Sequence, residues 1–171
     1  MAEATGLTVR VDETMQAAAL RYFVRGGAFA AVVQESLGVL PEGLQAAETR
    51  DGALILAWRS PTETLVLTGD PARLSDLEAR VAQAADGCLV NLSGGLRVLR
   101  LTGERISDLL CRLCGTGSIP RPGEARRGRM ADVPVLALCV RAGETLLVVD
   151  RAYAEHLMGW VRETLLDFAD P

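Results

Sequence analysis

A β-hairpin that leads into an amphipathic helix is predicted twice in this chain. In the first copy, an apolar run over residues 53–58 and a β-rich run over residues 63–67 are joined by a proline-containing turn. In the second copy, runs over residues 133–140 and 145–149 are joined by a glycine-containing turn. Two such units predict an α+β fold in which helices pack on one side of antiparallel sheet segments.

Each predicted hairpin is followed by a helix of about four turns. Asp70 supplies an N-cap and Pro71 the first helical position of the first helix, and Asp150 is predicted to cap the second. In the first helix the apolar residues at helical spacing are Leu74, Leu77 and Val81. In the second helix the predicted apolar face is Tyr153, Leu157, Trp160, Val161, Leu165 and Phe168.

The two copies align when the chain is shifted so that Glu63 falls on Glu144, because Glu-Thr-Leu begins at both positions. Two further helices are predicted, one within residues 29–40 that ends near Gly38 and one over residues 104–114. The remaining predicted strands are residues 7–11, 88–92 and 96–101. The whole chain, residues 1–171, is therefore predicted to form a single α+β domain with two similar hairpin-helix halves.

Composition excludes several classes of protein. The net charge is −4, only 4% of the residues are aromatic, and all eighteen basic residues are arginine, so a nucleic-acid partner is not expected. The N-terminal residues lack the apolar core of a secretory signal. The longest strongly apolar run, residues 133–140, is far shorter than the ~20 residues that a membrane-spanning helix needs. We expect a cytoplasmic protein without a membrane partner.

No strong catalytic or metal-binding pattern is present in the sequence. His156 is the only histidine and lies beside the predicted apolar face, which favours a surface residue over a general base. Cys111 and Cys114 have CxxC spacing but end a helix, where the dipole disfavours a thiolate. Structural cysteines are therefore favoured over a zinc or redox site. We predict no catalytic residue, no metal ligand and no cofactor in this chain.

The segment from Gly115 to Arg129 is predicted to be a loop rich in glycine, proline and arginine. Its four arginines are Arg121, Arg126, Arg127 and Arg129. One interpretation is a solvated connection. The alternative is a docking patch for an acidic partner surface or for an anionic ligand such as a folate glutamate tail, because guanidinium groups make forked contacts with carboxylates.

Several short segments form a recognisable series through their order and spacing, namely Ser60 to Leu67, Asn91-Leu92-Ser93, Arg97 to Gly103, Leu109 to Cys114, and Pro120. Over about residues 52–168 this series resembles the sarcosine oxidase gamma subunit family. Thr64, Asn91 and Gly117 depart from the family, which often has Trp, Asp and Asp at these positions. The family is similar in fold to the folate-binding domain of the glycine cleavage aminomethyltransferase.

This resemblance implies a role in assembly rather than catalysis. It implies a bacterial heterotetramer of alpha, beta, gamma and delta subunits that oxidises the methyl-amine of sarcosine and passes one carbon to tetrahydrofolate. FAD, FMN, NAD and tetrahydrofolate are then expected in the partner subunits. The alternative is a free-standing folate or one-carbon binding protein of the aminomethyltransferase type. A homo-oligomer is a further expectation for the isolated chain.

Overall fold

The computed structural model describes residues 1–4, 6–24 and 26–168. These residues form eleven strands and four helices. In chain order they are β1 (Ala2–Ala4), β2 (Leu7–Val11), β3 (Gln16–Tyr22), α1 (Ala28–Leu37), β4 (Ala46–Glu48), β5 (Ile55–Ser60), β6 (Glu63–Thr68), α2 (Pro71–Val81), β7 (Gly87–Asn91), β8 (Leu96–Gly103), α3 (Ile106–Leu113), β9 (Glu124–Met130), β10 (Val133–Arg141), β11 (Glu144–Asp150) and α4 (Ala154–Leu166).

The chain groups into two compact units. The discontinuous unit comprises Met1–Glu13 and Gly95–Pro171, and the continuous unit comprises Thr14–Gly94. The discontinuous unit has a six-stranded sheet in the order β1-β2-β8-β11-β10-β9, and the continuous unit a five-stranded sheet in the order β4-β5-β6-β3-β7. All pairings are antiparallel. The α+β fold class is confirmed, while one domain over residues 1–171 stays a prediction.

Each unit buries one apolar layer between its sheet and its two helices. In the continuous unit, Leu20, Leu56 and Val66 of the sheet pack with Phe29 and Leu77 of the helices. The discontinuous unit repeats this arrangement with the core residues Leu99, Leu109, Ala137, Leu147 and Leu157. Burial of such side chains contributes roughly 1.5–3 kcal/mol each, so these layers dominate the stability of either unit. The predicted packing of helices on one side of each sheet is confirmed.

The predicted repeat extends to the register of the strands. The pairs Ala18↔Val66 and Leu56↔Val66 of the continuous unit correspond to Leu99↔Leu147 and Ala137↔Leu147 of the discontinuous unit. Both hairpins also have a register shift just before the turn, where Ser60 pairs with Glu63 and Arg141 pairs with Glu144. The repeat therefore includes a strand and a helix ahead of each hairpin, which the sequence prediction did not include.

Besides β9, which is described below, three strands were not predicted. The Gln16–Tyr22 segment contains a run of alanines, which gives no strand signal, yet it becomes the interior strand β3 between β6 and β7. The strands β1 and β4 are three residues long. Their sequences carry too few residues for a period-2 pattern, so pairing with a neighbouring strand decides their conformation.

The predicted loop from Gly115 to Arg129 is wrong over its second half. Glu124–Met130 is the strand β9, which pairs with β10 in continuous register from Met130↔Val133 to Glu124↔Cys139. Arginine and glycine have little intrinsic strand preference, so the exposed edge of β10 imposes the strand. Only Gly115–Gly123 connects α3 to β9, and it includes a single 3-10 turn at Thr116–Ser118.

The predicted start and apolar face of the last helix need correction. A 3-10 turn at Arg151–Tyr153 precedes α4, and the Asp150 side chain makes no capping hydrogen bond. The buried face of α4 is Ala154, Leu157, Met158, Val161 and Leu165. Tyr153 and Trp160, placed on the core side from their spacing, are 44% and 53% exposed. Spacing alone left the rotation of the helix open, and packing against the sheet of this unit fixed it.

Other local predictions are confirmed. The Asp70 side chain accepts a hydrogen bond from the backbone N–H of Ala72 at 3.0 Å, and Pro71 occupies the first turn of α2. Gly38 ends α1 with a positive φ of 71°, a conformation that favours glycine. No helix among the residues that the structure describes is long and apolar enough to cross a membrane.

Candidate functional site

The arginine-rich segment, which is the candidate docking patch, lies on and beside β9 at one end of the six-stranded sheet. Successive side chains of a strand point to opposite faces, so Arg126 lies on one face of the sheet while Arg127 and Arg129 share the other. Arg121 is exposed in the turn before the strand. The structure therefore does not bring the four predicted arginines into one patch.

Arg126 is held by a carboxylate of its own strand. Its Nε and Nη2 donate to the two carboxylate oxygens of Glu124 at 3.1 and 2.9 Å, and the backbone N–H of Arg121 donates to the same carboxylate at 3.0 Å. The hydrogen bond from Arg126, followed by that from Arg121, lowers the pKa of Glu124 from 4.5 to about 2. The same pairing raises the pKa of Arg126. Arg126 thus already forms an ion pair within the chain.

Arg127 and Arg129 remain available at the surface. Both are exposed, and their Cα partners in β10 are Leu136 and Pro134, so their nearest cross-strand neighbours carry no charge. A guanidinium nitrogen of Arg129 donates to the backbone carbonyl of Asp132. Neither arginine forms an ion pair with a carboxylate among the described residues. Of the predicted patch, only Arg127 and Arg129 are both exposed and on the same face of β9.

Cys114, Cys139 and His156 each have a local hydrogen-bonding partner. The Cys114 thiol donates to the carbonyl of Leu110 at 3.2 Å, and burial raises its pKa, while Cys111 is exposed. The buried Cys139 donates to the carbonyl of Arg141 at 3.1 Å, and burial raises its pKa as well. His156 is exposed, with Nε2 3.2 Å from the carbonyl of Ala131. A raised thiol pKa disfavours the reactive thiolate, which agrees with structural cysteines.

Two carboxylate clusters were not anticipated from the sequence. In the discontinuous unit, Arg100 donates to the buried Asp12 at 2.8 Å and also to Glu144, which Arg141 contacts at 2.6 Å. In the continuous unit, Glu63 accepts from Arg21 at 3.2 Å and from a second arginine, Arg59, at 2.5 Å. Both glutamates begin the second strand of their hairpin. Each carboxylate is neutralised by guanidinium groups, so these clusters stabilise the hairpins rather than supply an acid or a base.

A cleft of about 410 Å³ in the continuous unit was also not anticipated. Arg50, Arg73 and Arg80 line this cleft, which is called the arginine cleft below. Arg73 lies 3.3 Å from Asp51, whose pKa is lowered by hydrogen bonds from the Thr49 hydroxyl and from the Ala53 backbone. The lining residues come from the C-terminal end of α1, from along α2 and from the β4–β5 turn, which the sequence pattern did not place together.

In the described part of the chain, no group of three His, Cys, Asp or Glu residues is placed to hold a metal ion. The lining of the arginine cleft combines its three arginines with Asp51 and Asp76, and guanidinium groups of this kind can make forked contacts with carboxylates.

Comparison with known proteins extends the prediction made from short motifs. No protein-family model matches this chain. The chain is 28% identical over 155 residues to the sarcosine oxidase subunit gamma of an Arthrobacter species, a match that covers 86% of this chain and 75% of that protein. Its fold is similar to a chain of the heterotetrameric sarcosine oxidase of Corynebacterium sp. U-96, with a TM-score of 0.85, 22% identity, and coverage of 100% and 89% of the two chains.

A second solved structure shares the fold. The glycine cleavage system aminomethyltransferase T of Bartonella henselae is similar with a TM-score of 0.67 and 14% identity, over 91% of this chain and 45% of that chain. At this identity the likeness concerns the fold, and it confirms the aminomethyltransferase-like architecture predicted above. The comparisons thus confirm that this chain resembles the sarcosine oxidase gamma subunit family.

Proposed function

We propose that this chain is a non-catalytic accessory subunit of a heterotetrameric, sarcosine oxidase-like flavoenzyme complex. The observation that carries the proposal is the match to a gamma subunit over 86% of this chain and 75% of that protein. A match of this extent relates whole chains rather than a shared module. The site geometry agrees with the proposal, because the two exposed arginines offer a docking surface. The side chains of Cys114, Cys139 and His156 have hydrogen-bonding partners within the chain.

In such a complex the chemistry belongs to the partners. We propose that alpha-, beta- and delta-type subunits oxidise the methyl-amine of sarcosine and pass one carbon to tetrahydrofolate, with FAD, FMN and NAD bound in those subunits. This chain contributes to assembly, in the cytoplasm of a bacterial cell. The proposal is supported by the sequence similarity to a gamma subunit and by the similarity of the fold to a chain of a heterotetrameric sarcosine oxidase.

Co-expression tests the proposal directly. The full chain, carrying an affinity tag, is produced together with the alpha-, beta- and delta-type subunits encoded in the same genome, and the purified material is analysed by light scattering and flavin absorbance. We expect one complex with a single copy of this chain and bound flavin. The same partners with an untagged chain serve as the control for non-specific capture. A tagged chain that elutes alone in every combination would contradict the proposal.

A free-standing folate or one-carbon binding protein is the second candidate, and the arginine cleft is the observation that favours it. Its guanidinium groups suit the carboxylates of a glutamate tail. The described residues that line this cleft include no aromatic side chain on which a fused ring could stack, so they fit an anionic tail better than the ring system. The accessory role therefore agrees better with the structure.

Calorimetry decides between these two functions. Tetrahydrofolate is titrated into the isolated full chain and into the double variant Arg50→Ala, Arg80→Ala. A folate-binding protein would release heat that the variant loses, whereas an accessory subunit gives no heat of binding in either case. The thermal unfolding of both chains, followed by circular dichroism, shows whether the variant retains its fold.

A further inference from the structure

β9 leaves a set of backbone hydrogen-bonding groups at the open edge of its sheet. The carbonyl of Cys139 accepts a hydrogen bond from the N–H of Gly123 at 2.7 Å, so Cys139 directs its backbone toward the β9 side. In an antiparallel ladder this direction alternates from residue to residue. The ladder register then assigns the inward-bonding groups to Glu124, Arg126 and Gly128.

The residues between them face the other way. Ala125, Arg127 and Arg129 direct their N–H and C=O groups to the outer side of β9, which pairs with β10 alone among the described strands. Pro134 of β10 agrees with this register, because it lacks an N–H and falls at a position that directs no bond toward β9. Ala125 is only 1% exposed, so the accessible donors and acceptors of this edge are those of Arg127 and Arg129.

The charge of this edge selects among the chains that could pair with it. Arg127 and Arg129 are exposed on the same face, and the backbone N–H and C=O groups of both residues point outward from the sheet. A second copy of β9 would bring arginine near arginine, which is unfavourable for cross-strand neighbours. A strand with carboxylates at alternate positions would instead place an acidic side chain opposite each guanidinium, where forked hydrogen bonds form.

We propose that β9 accepts an extended acidic segment of a partner subunit as an additional strand of the sheet. Backbone pairing at Arg127 and Arg129 supplies affinity, and carboxylates opposite these two arginines supply register and selectivity. Arg126 takes no part, because Glu124 already holds it on the opposite face. The inference rests on the proposed function, since the occupant is a segment of another subunit.

The test uses the full chain and a synthetic eight-residue peptide in which glutamate alternates with threonine. Amide hydrogen exchange is followed residue by residue by NMR. With about nine-tenths of the chain in complex, exchange at Arg127 and Arg129 should slow by about tenfold, because only the free fraction exchanges. The inward amides of Arg126 and Gly128 should change little. A peptide with lysine in place of glutamate should not bind.

Two variants separate edge pairing from general charge attraction. Arg127→Pro removes an outward N–H that the ladder within the chain does not use, and we expect it to abolish binding of the glutamate peptide. The double variant Arg127→Glu, Arg129→Glu should lose the glutamate peptide and bind the lysine peptide instead. Arg162→Glu, at an exposed arginine of α4, is the matched control and should bind the glutamate peptide as the unchanged chain does.

The outcomes distinguish this inference from the accessory role. If the chain forms the flavoprotein complex but the amides of Arg127 and Arg129 stay unprotected in that complex and with the peptide, the edge proposal is wrong and the accessory role stands. If the peptide protects these amides and the reversed charges switch its selectivity, the edge proposal holds even when no complex is obtained. Equal binding of both peptides to the charge-reversed chain overturns the edge proposal.

Discussion

At the scale of single residues, carboxylate–arginine pairs organise the turns and edges of this protein. Glu63 and Glu144 each begin a strand and each accept hydrogen bonds from two arginines, although the arginines come from different aligned positions in the two units. Glu124 forms a similar pair with Arg126 at the start of the edge strand.

The Glu124 pair predicts a pH dependence of stability. The pKa of Glu124 is about 2 in the folded chain and near its ordinary value of 4.5 when unfolded. Below pH 4.5 the unfolded chain binds the extra proton first, so the stabilisation is present above about pH 5 and is lost as the pH falls toward 2. The stabilities of the chain and of Glu124→Gln in urea unfolding should therefore converge as the pH falls from about 5 to about 2. A stability difference independent of pH would contradict this pKa.

At the scale of elements, the two hairpin-helix connections differ although their sequences look alike. Asp70 hydrogen-bonds to the N–H of Ala72 and begins α2 directly. Asp150 stands before a 3-10 turn, and α4 begins at Ala154 without a side-chain cap. In the aligned repeat Asp150 falls one position before the place of Asp70, and it has no capping role, whereas Asp70 caps its helix.

Matched alanine substitutions test this difference. Asp70→Ala should lower the free energy of unfolding by about 1 kcal/mol, because one N-terminal N–H of α2 loses its acceptor. Asp150→Ala should change stability by less than about 0.5 kcal/mol, the usual range for exposed positions without a special role. Denaturant unfolding of the two variants and the unchanged chain gives both values. Equal losses would mean that Asp150 caps its helix in solution.

At the scale of the molecule, the first strands of the chain complete a sheet whose other strands come from its second half. β7 pairs with β3 in the continuous unit, and β2 pairs with β8 at the corresponding place in the discontinuous unit. β2 buries Leu7 and Val9 in the core of this unit. The discontinuous unit therefore depends on its N-terminal segment, Met1–Glu13, which the continuous unit Thr14–Gly94 separates from the rest of it in the chain.

Removal of residues 1–13 tests this dependence. The loss of Leu7 and Val9 from the core should cost at least about 3 kcal/mol, at roughly 1.5 kcal/mol for each side chain. Amide exchange should accelerate most in β8, which loses its neighbour in the sheet. Addition of a synthetic peptide of residues 1–13 should restore protection in β8. A truncated chain that unfolds at the same temperature as the complete chain would contradict this role of β2.

The sequence by itself determined the hairpins, the capped helix α2, the end of α1 and the resemblance to a family, because these depend on turn residues, caps and spacing within a few positions of one another. Only the tertiary structure decided that Glu124–Met130 is a strand, that Trp160 faces outward, and that β2 joins β8. An edge strand takes its conformation from its neighbour, and a helix with apolar residues on adjacent stripes takes its rotation from the surface that it packs against. The two exposed arginines Arg127 and Arg129 became a candidate site for the same reason, since pairing with β10 turned a predicted loop into a sheet edge.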